Sequence, residues 1–567
     1  MKLMKKIQNS INKIHPTIRQ TIFIILATLP VLAYVWKASV IQHYGIFSNE
    51  DWDYFMQIYE AARISILHYH QFPWWNPWAL GGIPLFANPQ FGLISIQMPL
   101  VLLFGTVTGL HLAILVYFVV GFWGMYFLLK RLGANSIWLQ ILLSYIWVFS
   151  GYISWHLGYG HLTFGDYLLA PWFFMTLLNI RIKNGWLWFS LVTALLINQA
   201  PHYTAVQCLF ISFFVAVYQI IIYCKKNQHQ KLHFMIIIRP YLWSCSLLVL
   251  LAGPKLFYCF QYMHYYTRLM PVEPAIPLGI TWAALTARHE VILRQFHALT
   301  YAWQEYADYF GVVTLALFLF LLLADFRRFR EIPTRKWALL GAIILAFLMT
   351  LGAAFPYAPY SVLHRLPFFR EMRVPSRWIG WFSFGVILYL AWLPKKPLLY
   401  FLLAISAIDV AIINFPALNT PQALYQMPAK NAVFQQYAGY DYHPEKPTYH
   451  LLKATQANRG EVYGFEPILL FSGAILPQFT AMTNRCGINQ GCPFVLTANA
   501  KVIYWSPLKV LLQRTGNGPI KLNMNPGKNW FVNEKPVFAK ERILELKKPF
   551  IITDPSQQIS VVYKPRL

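Results

Sequence analysis

Glu50, Asp51 and Asp53 crowd into one short stretch, Asn49-Glu-Asp-Trp-Asp53. Carboxylates this close repel one another and hold protons more tightly, so such a group can bind a divalent cation or act as a general base near neutral pH. The alternative is a solvated turn in which Asn49 or Asp51 caps the helix that follows. A second group, Arg370, Arg373 and Arg377, lies in Leu366-Pro-Phe-Phe-Arg-Glu-Met-Arg-Val-Pro-Ser-Arg-Trp378. Planar guanidinium groups match phosphate oxygens in a bidentate way. Pairing with Glu371, or with lipid headgroups, is the plainer use. Asn76, Asn88 and Gln90 sit in Gln71–Gln90, a segment with four prolines and Gly81-Gly82; they could face a polar ligand or serve a structural loop. His156, His161, Asp166 and His202 are further candidates, and His161, near the acidic cluster, could bind metal or phosphate, although a lone interfacial histidine is more often a simple hydrogen-bonding residue. Glu305 and Asp308 stand in Trp303–Gly311, where Asp308 could cap the next helix.

These groups must be positioned by elements suited to lipid. The chain has 567 residues, of which 57% are hydrophobic and 12% charged. Apolar runs of about 17–25 residues recur from Thr21 to Phe415, each long enough to cross a bilayer. The net charge of +26 resembles a nucleic-acid signal. However, most lysines and arginines fall in short loops between apolar runs, where they set topology, and no nucleic-acid partner is expected. The basic N-terminus, residues 1–20, reads as cytoplasmic and the first run as an uncleaved span, since no small-residue cleavage site follows it. Spans at about 21–41, 110–129, 137–153, 167–180, two flanking Gln199–Tyr203, 237–256, 308–324, one further, 377–393 and 397–414 place every short basic turn inside. About eleven spans result, with outer loops at 42–108, 257–307 and 353–376. Within the first outer loop, Trp52–Tyr69 reads as an amphipathic helix along the membrane surface, and Trp74, Trp75 and Trp78 suit the interfacial belt. Arg370, Arg373 and Arg377 then lie at an outer mouth, against the positive-inside trend.

Residues 416–567 change character and read as one extracytoplasmic domain of mixed or mainly β type. Pro519–Met524 reads as a strand, and Phe550–Thr553 with Ile559–Tyr563 as a hairpin. Cys486 and Cys492 could form a local disulfide in an oxidising compartment.

The acidic loop after the first span, Pro73-Trp-Trp-Asn-Pro, Gly-Gly-Ile-Pro84, Ala87-Asn-Pro-Gln90, Gly158-Tyr-Gly-His161, Glu305 with Tyr309-Phe-Gly311, and Arg373-Val-Pro-Ser-Arg377 together resemble the YfhO-type bacterial membrane proteins. These in turn resemble the GT-C class of polyprenyl-phosphate-dependent glycosyltransferases. The resemblance covers roughly Phe47 to Trp378. It implies a polytopic α-helical GT-C-like fold in the bacterial cytoplasmic membrane. The implied activity is inverting transfer of a sugar from a polyprenyl-phosphate donor to an envelope glycan, lipid or protein. By the same resemblance Asp51 would be the base, and Asp53 or Glu50 would assist it or hold a metal such as Mg or Mn. Arg373 and Arg377, with Arg370, would hold the lipid phosphate, and His161 would line the pocket. Two other functions use similar residues. A flippase of a lipid-linked sugar would be expected to bury charge within its spans, where Lys255 and Asp409 are the exceptions. A non-catalytic assembly protein would bind through its outer domain.

Overall fold

The computed structural model describes residues 16–40, 51–77, 83–226, 234–265, 275–291, 301–366, 369, 372, 374–419, 435–437, 466–467, 491–493, 497–522, 529–536 and 550–565. In lipid a backbone must satisfy its own N–H and C=O groups, so the apolar runs fold as helices. In chain order these are α1 (Pro16–Val35), α2 (Trp52–Leu67), α3 (Gln97–Phe104), α4 (Thr106–Leu132), α5 (Ile137–Val148), α6 (Gly151–Gly158), α7 (Ala170–Leu178), α8 (Gly185–Gln199), α9 (Thr204–Lys226), α10 (Phe234–Tyr265), α11 (Leu278–Thr286), α12 (Val312–Phe326), α13 (Thr334–Thr350), α14 (Pro359–Leu363), α15 (Ile379–Tyr389) and α16 (Pro397–Leu418). Among the described residues, six helical stretches are long and apolar enough to cross a membrane: Thr21–Ser39, Thr106–Leu132, Ile137–Gly158, Thr204–Tyr223, Ile238–Met263 and Pro397–Leu418. Leu162–Leu178 and Val312–Phe326 are shorter apolar runs. Leu103, Trp138, Val249, Leu250, Phe260, Leu323 and Ile412 point outward. So much exposed apolar surface needs lipid as its solvent. The chain is a helical membrane protein.

The central helix is α4, which packs against α1, α3, α5 and α7. Several bounds differ from those read in the sequence. The first helix starts at Pro16, α10 continues to Tyr265, and α16 runs to Leu418. The segment expected to lie along the membrane surface is α2, and it is enclosed instead: Trp52, Phe55, Ile58, Tyr59, Glu60 and Ala61 are all buried. Its charge is compatible with burial because Arg63 donates to both Glu60 oxygens, at 2.8 and 2.6 Å, and the Thr106 hydroxyl donates to the same carboxylate.

The proline-rich loop that follows is held from below. Lys255 on α10 is buried, and its Nζ donates to the carbonyls of Phe86, Asn88 and Phe91 at 2.7, 2.8 and 2.8 Å. An irregular loop at membrane depth leaves carbonyls without helical partners, and one ammonium with three donors satisfies three of them.

In the tail, strands β1 (Ala500–Ser506), β2 (Lys509–Arg514), β4 (Trp530–Val532), β5 (Lys535–Pro536) and β7 (Gln558–Tyr563) form an antiparallel sheet in the order β5-β4-β7-β2-β1. The strands β3 (Ile520–Leu522) and β6 (Phe550–Ile552) pair separately. The expected hairpin between the last two strands therefore does not form. Residues 553–557 carry the chain from one sheet to the other, because Ile559, Val561 and Tyr563 find an apolar face against β2 and β4. Single-strand periodicity marks which side is buried and does not choose the partner. Trp75, read as an interfacial tryptophan, is covered by this sheet. Its ring meets Trp530 at 5.6 Å and Tyr563 at 5.1 Å between centroids. Gln71 also donates to the Ser506 hydroxyl at 3.1 Å. Cys486 lies outside the described residues, and with it the disulfide reading.

Candidate functional site

Asp51 immediately precedes α2, and its side chain makes no capping bond to that helix. Instead Oδ2 stands 3.5 Å from Nε2 of His161, and the carboxylate is partly open to solvent. The backbone explains how two residues so far apart in sequence meet. The Asp51 N–H donates to the Tyr159 carbonyl at 3.3 Å, and the Trp52 indole donates to the Gly158 carbonyl at 3.0 Å. Gly160 makes this approach possible. Its φ is +84°, and a Cβ there would stand 2.4 Å from the Trp52 nitrogen.

His161 is bonded in turn to His156, Nδ1 to Nδ1, at 2.8 Å. One ring must donate and the other accept. His156 lies on α6, is fully buried, and stacks on Phe164 at 4.0 Å with its Nε2 unpartnered among the described residues. Buried polar atoms are rarely left unpaired, so an unmatched nitrogen here marks a position where a ligand or water belongs.

The third member is an ion pair. Arg377 Nε and Nη2 donate to the two oxygens of Glu305 at 2.7 and 2.5 Å, and both side chains are buried. The guanidinium lies over the rings of Phe164 and Tyr203, 4.8 and 4.3 Å from their centroids. The Tyr152 and Tyr167 hydroxyls donate to the Arg377 carbonyl, at 3.2 and 3.4 Å. Burial alone would raise the Glu305 carboxyl. The adjacent guanidinium overrides it, by charge and by hydrogen bonds, and with His161 and His156 holds the carboxyl well below its usual range. The arginine's partner is thus Glu305, 72 positions away in sequence. Glu371, the partner weighed from sequence, lies outside the described residues. His156, His161 and Glu305 offer ligand atoms that all lie within 4.8 Å of one another. Two imidazoles and a carboxylate suit a divalent transition ion such as Mn better than Mg, which prefers oxygen alone.

Asp51, His161, His156, Glu305 and Arg377 therefore form one continuous group, with a solvent-touched carboxylate at one end and a buried guanidinium at the other. Glu50, Arg370 and Arg373 lie outside the described residues. So does the Asp53 side chain, although its backbone is in the first turn of α2. Asn88 and Gln90 bond elsewhere. The Asn88 amide donates to the Tyr54 hydroxyl at 2.9 Å, and its Oδ1 accepts the Gln90 N–H at 2.9 Å. Asn76 is fully buried in the strand Trp75–Asn76. Asp308 does not cap α12. Its Oδ1 accepts the Tyr152 N–H in the first turn of α6, at 3.4 Å, which fixes the helix that carries His156. Asp166 is buried, with both carboxyl oxygens unpartnered among the described residues. Sequence reasoning passed over Phe164 and Tyr203, the rings that hold the guanidinium. Aromatic residues are so frequent in this chain, at 17%, that none stands out.

No protein-family model matches the chain, and no curated protein does. Solved structures do resemble it. The structure of the arabinofuranosyltransferase AftD from Mycobacteria aligns over 82% of this chain and 33% of its own, at 14% identity and a TM-score of 0.46. The archaeal oligosaccharyltransferase AglB from Archaeoglobus fulgidus, in complex with an inhibitory peptide and a dolichol-phosphate, aligns over 80% of this chain and 65% of its own, at 11% identity and a TM-score of 0.36. The chain thus spans about a third of the length of the first and 65% of the second.

Proposed function

We propose that this protein is a GT-C-type glycosyltransferase of the bacterial cytoplasmic membrane. It transfers a sugar from a polyprenyl-phosphate donor to an extracytoplasmic acceptor, with about eleven spans and its C-terminal domain outside. The observation that supports this reading is the single connected group running from the Asp51 carboxylate through His161 and His156 to the Glu305–Arg377 pair. Transfer from a polyprenyl phosphate needs a base beside the acceptor hydroxyl and positive charge beside the departing phosphate. In this reading Asp51 takes the proton of the acceptor hydroxyl as its oxygen attacks the anomeric carbon. The bond from that carbon to the phosphate oxygen breaks on the opposite face, which inverts the centre. The electron pair leaves with the polyprenyl phosphate, whose charge is met by Arg377 together with Arg373 and Arg370. Glu305 positions Arg377, leaving the Nη1 amino group free of the pair. Where a divalent cation takes part, His161, His156, Glu305 and Asp51 are the residues that would hold it, with Asp53 and Glu50 nearby in sequence. It would supply charge for the phosphate oxygens.

The flippase reading asks for mobile charge within the spans. Lys255 is committed to three carbonyls, and Asp409 is paired with Arg288 at 2.5 Å and accepts the Tyr309 hydroxyl. Both therefore favour a fixed structural use.

The test uses the full chain reconstituted in liposomes with a panel of polyprenyl-phosphate sugars, scoring release of free polyprenyl phosphate. Asp51→Asn is expected to lower the rate by about 10²–10⁴-fold, the range for a lost general base. Unchanged release in Asp51→Asn would overturn the reading.

A further inference from the structure

The end of the helical bundle away from Asp51 carries a charge imbalance of its own. Helix α4 sets the separation. His111 near its start stacks on Trp52 at 5.0 Å between centroids, and Arg131 in its last turn donates from Nε to the Asn179 Oδ1 at 2.6 Å. From His111 to Arg131 the helix rises about 30 Å, the thickness of the hydrocarbon core of a bilayer. Asn179 opens the turn between α7 and α8, where Arg181 and Lys183 stand. The Arg181 guanidinium lies 4.6 Å from the ring centre of Tyr223 on α9 and 5.9 Å from that of Tyr241 on α10. The Tyr241 hydroxyl donates to the Gln219 Oε1 at 2.7 Å, and the Gln219 amide donates to the Leu177 carbonyl at 3.4 Å, so α7, α9 and α10 are tied together around the arginine. Arg239, two residues before Tyr241, lies 4.1 Å over the Trp243 ring.

These cations have no acid to meet. Between Asp166 and Glu273 the sequence holds eight lysines and arginines and no acidic residue. Among the described residues Arg131, Arg181, Lys183 and Arg239 form no ion pair. The turn between α12 and α13 lies at the same end, tied there by the Tyr389 hydroxyl on Asp325 and the Tyr400 hydroxyl on Asn135. It is basic as well, but Lys336 is paired with Asp325 at 2.7 Å, and Glu331 stands among Arg327, Arg328 and Arg330. Membrane topology asks only that a turn be basic. It does not explain why one turn carries its own acids and the other carries none.

An anion from outside the chain would complete the second. Guanidinium groups held by aromatic rings suit phosphate oxygens. The surroundings select the kind of phosphate. Trp188 and Trp243 are exposed indoles near this turn, the side chain that favours headgroup level. Phe214 and Ile221 on α9, with Leu242 and Val249 on α10, are exposed and lead from the turn toward mid-span. A ligand with phosphate at the turn and hydrocarbon along the helices is a phospholipid. A zwitterionic headgroup brings its own ammonium and offsets little charge. We propose that the α7–α8 turn, with the facing ends of α9 and α10, binds the headgroup of an anionic phospholipid at the membrane face opposite Asp51. This site is separate from the position assigned to the polyprenyl phosphate and holds whether or not the chain transfers sugar.

The test is a lipid titration. Full-length protein in detergent is titrated with palmitoyl-oleoyl phosphatidylglycerol or the matching phosphatidylcholine, and native mass spectrometry reads the lipid-bound fraction. Phosphatidylglycerol is expected to bind at least about fivefold more tightly, the size of one basic group at an anionic surface. Arg181→Gln should weaken phosphatidylglycerol by about the same factor and leave phosphatidylcholine unchanged. Arg239→Gln, at an exposed side chain, should act in the same direction and decides the matter if Arg181→Gln does not fold. Arg328→Gln, in the turn that holds its own acid, should change nothing. Equal binding of the two lipids would overturn the proposal, as would unchanged phosphatidylglycerol binding in the Arg181 and Arg239 variants. An equal loss in Arg328→Gln would also overturn it, by making the preference a diffuse effect of net charge. Displacement of the lipid by an equal concentration of glycerol 3-phosphate would overturn it too, in favour of a soluble phosphate.

Discussion

The loop pinned by Lys255 and the group around His161 present the same kind of anomaly in sequence: polar residues and irregular backbone among apolar helices. They differ in how completely they are satisfied. Lys255 spends its three donors on three carbonyls, and Asn88 is bonded to Tyr54 and to Gln90. The second group keeps unused capacity: a buried His156 nitrogen unpartnered among the described residues and an arginine with one amino group outside its ion pair. A saturated polar group holds a fold together, while an unsaturated one waits for a ligand. That contrast separates a structural oddity from a candidate site more sharply than residue type does.

Substitutions at three positions can break or sharpen the contrast. Glu305→Ala strands a buried guanidinium and should cost about 3–5 kcal/mol of stability, read as loss of folded protein in detergent. The pH dependence adds a sign. The Glu305 carboxyl is held below its ordinary value in the folded chain. Its contribution is therefore complete above the unfolded value of about 4.3 and is lost only as pH falls below it. The melting-temperature gap between wild type and Glu305→Gln should accordingly stay level from pH 8 to about pH 5 and narrow at lower pH. A gap that closes between pH 7 and pH 6 would overturn the assignment to Glu305. Lys255→Met leaves three loop carbonyls unsatisfied and should cost about 2–4 kcal/mol, with phosphate release per folded molecule changed far less than in Asp51→Asn. Equal loss of activity in the two would erase the distinction between the regions. Gly160→Ala is the mildest. A Cβ at φ +84° meets the Trp52 nitrogen at 2.4 Å and the Asp51 carbonyl carbon at 2.9 Å, so the Asp51 segment must shift. The cost in stability should be about 1–3 kcal/mol, with a drop in rate beyond what that loss explains.

Much of this architecture was legible because lipid imposes one rule on every span. Hydropathy located the long apolar helices, among them Thr106–Leu132 and Pro397–Leu418. The candidate residues stood out as charges among apolar runs: the acids at 50–53 and the arginines at 370–377. What could not be read was pairing. Arg377 lies near Glu371 in sequence and bonds to Glu305, because the loop at 301–311 and the start of the helix at 375–378 are brought together by packing that leaves no local trace. His156 and His161 were visible as neighbours five apart, but the turn at Gly158–Gly160 that aims one ring at the other follows from contacts with α2 and α16. Strand partners in the tail failed for the same reason. The alternation at Ile559–Tyr563 identifies a buried face, and the neighbour that covers it is chosen by the sheet.

The seat of Trp75 between Trp530 and Tyr563 has a practical consequence for anyone dissecting this molecule. A truncation that keeps only the helices would bare an indole that is now buried, and the excised sheet would carry the matching apolar scar. The two portions are halves of one seam, and each serves as the other's chaperone.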